Sequence, residues 1–154
     1  MKEAGNSASG KQGAGLKVRH FFTVEEANAR LPLVRAITKD MVELAKDVVD
    51  RQGRLASLLE GRKLTAKDVY SAELLEMQKS LEQDQDRLVG YARELHELGV
   101  EAKGAVEGLV DFPARMDGRE VCLCWRLGEP EVLYWHELEA GFAGRQPLVA
   151  GAVG

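Results

Sequence analysis

Cysteine and proline are scarce in this chain, at two and four of 154 residues, and aromatic side chains make up only 6% of it. Two cysteines are too few for the disulfide framework that holds small secreted domains together. No apolar run approaches the roughly 18–20 residues that span a bilayer, which argues against a membrane partner. The first 20 residues contain no apolar h-region, so no cleavable secretory signal is expected and the localisation read from the sequence is cytoplasmic. Neither charge sign dominates: 21 basic side chains stand against 25 acidic, a formal net charge of -4. That balance excludes a general nucleic-acid binder, whose affinity rests on neutralising phosphates. What remains, 45% hydrophobic and 30% charged residues, describes a chain able to bury one domain's core.

Residues 1–17 are rich in Gly, Ser, Ala and Lys and offer nothing to bury. The expected division is a flexible tail over 1–20, a single domain over 21–148 and a short tail over 149–154. Within the domain, 21–98 reads as a helical hairpin and 108–148 as an antiparallel sheet followed by a loop.

Order begins at a capping box, Thr23 with Glu26, preceded by Phe22 as a staple. Pro32 predicts a break after a short helix over 24–31. A heptad seam then runs through Val34, Ile37, Met41, Leu44, Val48, Arg51, Leu55 and Leu58, and Gly61 ends it. Thr65-Ala66-Lys67-Asp68 opens a second helix, with Leu74, Leu81, Leu88 and Leu95 on one rail and Met77, Asp84, Tyr91 and Leu98 on the other. Gly99 stops it. The short turn makes these an antiparallel hairpin with arms of about 40–50 Å. Such arms need a further partner, either the C-terminal segment or a second copy, so a homodimer through the coiled-coil helices is expected. With the turn centred near residue 63, Arg51 and Asp84 are not expected to meet within one hairpin.

Residues 99–107 read as a linker, after which the period becomes two. Leu109–Phe112 is a strand ended by Pro113, Asp117-Gly118 is a hairpin turn, Arg119–Leu127 alternates, and Glu131–His136 returns after Gly128-Glu129-Pro130. The expected fold is therefore α+β: a long antiparallel helical hairpin, a small three-stranded antiparallel β-sheet and a glycine-rich C-terminal loop.

Pairing the second hairpin about its turn sets Arg126 opposite Val132, Cys124 opposite Tyr134 and Cys122 opposite His136. The first hairpin brings Asp111 near Cys122. One face then carries Val110, Phe112, Val121, Leu123, Trp125, Leu133 and Trp135 as core. The other gathers Asp111, Cys122, Cys124, Arg126, Tyr134 and His136.

A carboxylate, a thiol and an imidazole can hold a transition metal such as zinc, and the set read here is Asp111, Cys124 and His136, with Glu137 or Glu139 as extra donors. The Cys-x-Cys spacing is closer than the roughly two to four intervening residues usual in zinc motifs. His136, Glu137 and Cys124 are the candidate catalytic groups of a metal-dependent or thiol enzyme of hydrolase type. Alternatively, Asp111 and His136 bond to each other and both thiols are structural. The loop Gly141–Pro147 offers Arg145 as an anion clamp, and Arg126, Arg145, Tyr134 and Glu129 are the candidate residues for a small anionic ligand or peptide. The bland alternative pairs Arg145 with Glu129, Glu137 or Glu139. A binding or assembly module is the first functional reading, the enzyme the second and a purely structural coiled-coil adaptor the third.

Several stretches resemble a bacterial family known as domain of unknown function 2203: Phe22–Asn28 with Leu31-Pro32, Gly108–Pro113, Cys124–Pro130, Tyr134–Glu137 and Gly141–Leu148. The resemblance covers about 21–148 and implies a soluble bacterial protein with a helical region followed by a strand-rich signature. It implies no activity. Asp111, Cys124, Trp125, Arg126, Glu129, His136, Glu137 and Arg145 all fall inside its motifs. Cys122 falls between them, which makes it the weaker ligand candidate.

Overall fold

A computed structural model describes residues 20–62 and 68–148. The expected tails (His20 apart) and the Thr65-Ala66-Lys67 part of the second helix signal lie outside the described residues. The first helix, α1, runs unbroken over Val24–Leu59. Its start is the capping box: Thr23 N–H donates to Glu26 Oε1 at 2.9 Å and Glu26 N–H to Thr23 Oγ1 at 3.1 Å. The break expected at Pro32 does not occur. Losing one helical hydrogen bond costs up to about 3 kcal/mol, and Ala27, Leu31, Val34 and Thr38, all buried on either side of the proline, hold the helix across it.

The second helix, α2, spans Val69–Glu97, with Asp68 as its N-cap accepting from Ser71 N–H at 2.7 Å. Val48 and Leu55 of α1 share a buried cluster with Leu74 and Leu81 of α2. Within that pairing Arg51 does reach Asp84, contrary to expectation. It donates to Asp47 (2.9 Å) and Ser80 (3.4 Å), and its guanidinium extends one further turn along α2 to a close ion pair with Asp84. Counting backbone offsets from the turn underestimates what an arginine side chain spans. The Arg51 guanidinium holds the Asp84 carboxyl below its usual range.

The sheet has five antiparallel strands, not three, in the order β1-β2-β3-β4-β5. They are β1 Glu101–Gly104, β2 Leu109–Met116, β3 Arg119–Arg126, β4 Tyr134–Glu137 and β5 Gln146–Pro147. The supposed linker contains β1, and the supposed loop contains β5 after a 3-10 turn at Phe142–Gly144. Pro113 does not end β2. Its carbonyl accepts the Phe22 N–H at 2.7 Å, so that edge of the strand faces the segment entering α1. The N–H that proline lacks falls on the same edge, beyond the last β1 partner, Glu101↔Asp111, and no ladder bond is lost. At the β2–β3 turn Asp117 and Gly118 both have positive φ, 54° and 79°, the type I′ geometry that matches strand twist.

The inner face of the sheet packs on the end of the hairpin that holds the start of α1 and the close of α2. Val110, Phe112, Val121, Leu123 and Trp125 are all fully buried there with Leu31, Val34, Met41 and Leu95. Leu133, expected in this layer, is 37% exposed, and its neighbour Val132 is buried instead. The cause is local: Val132 precedes β4, and its N–H is held by Asn28 Oδ1 of α1 at 2.7 Å.

Candidate functional site

The strand register decides which side chains meet on the outer face. Cys122 pairs with His136 and Cys124 with Tyr134, as the hairpin reading requires. Asp111 lies directly opposite Cys124, with Cys122 opposite Pro113. Asp111 nevertheless reaches Cys122 diagonally: one ligand atom from each of Asp111, Cys122 and His136 lies within 4.8 Å of the others.

Asp111 and His136 are 5% and 2% exposed. His136 Nδ1 lies 2.7 Å from the Glu137 carbonyl, which can only accept, so Nδ1 carries a proton. Nε2 then faces the Asp111 carboxylate, 3.1 Å from each oxygen. Both nitrogens of His136 thus have oxygen partners. His136 and Asp111 pair directly, as the structural alternative has it, and an imidazole anchored through Nδ1 to a backbone carbonyl is also the form whose Nε2 can ligate a metal.

Cys124 is fully buried, and its thiol is pushed up to about 12, first by burial and then by the Asp111 carboxylate beside it. At pH 8 about one such thiol in ten thousand is ionised. We therefore expect iodoacetamide at pH 8 to leave Cys124 unmodified in the folded chain, as mass spectrometry of the peptides would show. A folded value above the ordinary 9.0 also has a stability consequence. Its contribution is fully present below about pH 9 and is lost as pH rises towards 12, with a slope of up to about 1.4 kcal/mol per pH unit. Cys124→Ala should flatten that slope in alkaline urea titrations.

The cluster forms the floor of a pocket of about 500 Å³ on the outer face of the sheet. Its walls include Leu109, Leu138 and Phe142, and its rim carries Glu101, Lys103 and Glu139. Glu101 and Lys103 come from β1 and escaped the sequence reading because four residues of Glu-Ala-Lys-Gly show too little alternation to mark a strand. Glu101 sits beside Asp111 in the sheet and also bonds to His96 at 2.7 Å.

The remaining candidates lie elsewhere. Glu137 turns to Arg119, accepting bonds of 3.2 and 2.6 Å, and this pairing lowers its carboxyl from the usual range. Arg145 donates to both oxygens of Glu129 at 2.7 Å, as the bland alternative has it. Its guanidinium is stacked over Tyr134 and Phe142, 4.0 and 4.6 Å from the ring centres. Glu129 also accepts the Arg126 N–H at 2.8 Å. Arg126, Glu129, Tyr134 and Arg145 thus form one cluster that ties the Gly128 turn to the segment before β5, while the Arg126 side chain is exposed.

A long helical hairpin with a five-stranded antiparallel sheet over one end defines an α+β protein, with a buried histidine–aspartate pair at the floor of an outer-face pocket. The family model described as Uncharacterized conserved protein (DUF2203) matches residues 20–148, and the chain belongs to that family. No curated protein and no solved structure matches it. Among the described residues no helix is long and apolar enough to cross a membrane.

Proposed function

We propose that this chain is a binding module for one divalent transition metal, with zinc the best fit, held by Asp111, Cys122 and His136. The observation that carries the reading is the mutual approach of their three donor atoms within 4.8 Å, with two of the three residues buried. A thiolate and a carboxylate neutralise a dication, so the loaded centre adds no net charge to a buried site. Nitrogen, sulfur and oxygen donors together suit zinc better than magnesium or calcium. Three protein ligands leave a fourth position towards the pocket, for water or a small anionic ligand. Glu139 lines the same pocket, and its carboxylate would be the base for a metal-activated water, which would be hydrolase-type chemistry. Cys122 replaces Cys124 in the ligand set because its sulfur is the one within 4.8 Å of both the Asp111 and the His136 donor atoms.

Homodimerisation through the helices accompanies this reading. At the hairpin end away from the sheet, Leu58, Val69, Tyr70 and Met77 line one shallow groove and are 40%, 78%, 39% and 36% exposed, apolar surface that a second hairpin would cover.

Elemental analysis and light scattering on one zinc-supplemented sample test both statements. About one zinc per chain is expected in a dimer, lost in Cys122→Ser and His136→Ala and kept in Cys124→Ser. No bound metal overturns the metal reading. Metal lost in Cys124→Ser and kept in Cys122→Ser overturns the ligand set, and a monomer overturns the dimer.

A further inference from the structure

A second groove, of about 650 Å³, runs between α1 and the turn at Leu127–Pro130 and shares no residue with the metal pocket. Its floor is apolar. Gly108, at φ +74°, brings its backbone under both walls: a Cβ there would lie 2.7 Å from Leu127 Cβ and 3.1 Å from Val42 Cγ2. The close approach that only glycine permits seats the Gly108 backbone against both Leu127 and Val42. The turn forming the far wall is fixed at two points. Trp125 Nε1 donates to the Glu129 carbonyl at 3.0 Å, and Arg35 Nη2 donates to the Pro130 carbonyl at 3.1 Å.

The charge on this groove is one-sided. Arg35, Lys39 and Lys46 line it from α1. Among the described residues neither lysine is in an ion pair. Two carboxylates are near, but Glu129 spends both oxygens on Arg145, so Glu43 alone opposes three cations. Arg35 and Lys39 are four residues apart, hence neighbours on one helix face, and the unused guanidinium donors and the ammonium can close on one anionic group. An apolar tail then lies along Val42, Leu127 and Pro130 towards Lys46.

We propose that this groove binds an amphiphilic anion, a small molecule with a carboxylate head and an apolar body, through Arg35 and Lys39. A volume of this size is ordinary for small-molecule sites. The probe is decanoate, titrated calorimetrically below its micelle concentration, with decyltrimethylammonium and octanol as comparators. Saturable binding of one decanoate per chain is expected, weakened tenfold or more by Lys39→Glu and unchanged by Cys122→Ser. Lys39 is exposed, so the charge reversal leaves the fold intact, which circular dichroism checks. Three results would overturn the proposal: no saturable binding, equal affinity in Lys39→Glu, or equal binding of the cationic or neutral comparator. A dimer that Lys39→Glu dissociates, with no decanoate uptake, would assign the groove to a second copy instead and overturn it as well.

Discussion

Replacing His136 with alanine is expected to cost the metal-free folded state about 3 kcal/mol, the order for leaving a buried carboxyl group without its hydrogen-bond partner. The carboxylate of Asp111 would stay in a site where it is 5% exposed, without the Nε2 that faces both its oxygens at 3.1 Å. The cost comes from the group left behind more than from the bond removed. The double replacement Asp111→Leu with His136→Phe, which removes both polar partners, should therefore recover most of the loss. Urea unfolding of the three chains in a chelator gives the answer directly. A His136→Ala loss below about 1 kcal/mol, or a double variant no better than the single one, would mean that the pair is hydrated in solution. In that event it could not serve as a preorganised metal floor either.

Trp125→Ala should be at least as damaging, at about 3–5 kcal/mol. The indole is fully buried between sheet and α1, and the Arg35 guanidinium lies 5.7 Å from its ring. Trp125→Phe separates packing from hydrogen bonding. It keeps most of the apolar bulk and loses the donor to the Glu129 carbonyl, for an expected cost of about 1–2 kcal/mol. The phenylalanine chain should also bind decanoate more weakly, because the groove wall is the turn that this indole N–H fixes. Paired denaturation curves measure the split. If the two variants were equally unstable, the hydrogen bond would dominate and the core role of the ring would be wrong.

The sequence is most legible where local chemistry admits one answer. Asp117-Gly118 can form the type I′ turn that most other dipeptides resist, and from it the alternation of 119–127 carries the register to Cys122↔His136 and Cys124↔Tyr134. The capping box at Thr23 and the Asp68 cap are equally local. Where tertiary contacts outweigh local preference, the reading fails. Pro32 breaks helices in isolation but not one nailed down on both sides, and Pro113 ends strands unless its bare edge faces a neighbour that donates into it. Strand β1 is too short to announce itself and exists because β2 offers an edge. The site was half legible for a related reason. Alternation places a side chain on a face, but the diagonal reach of Asp111 to Cys122 depends on side-chain direction, which periodicity does not encode.

The stitching of the beginning of the chain to its end has a consequence for how the protein is made. Asn28 holds the N–H of Val132, 104 residues later, and Phe22 donates to Pro113. Emerging from the ribosome, the two helices can zip together through neighbouring residues well before the strands exist. For that interval the face of α1 destined for the sheet has nothing to lie against. The newborn hairpin is expected to expose this apolar face until strands β2–β4, residues 109–137, have been made. A pause or truncation before residue 132 would strand it in that state, a client for chaperones or a seed for aggregation.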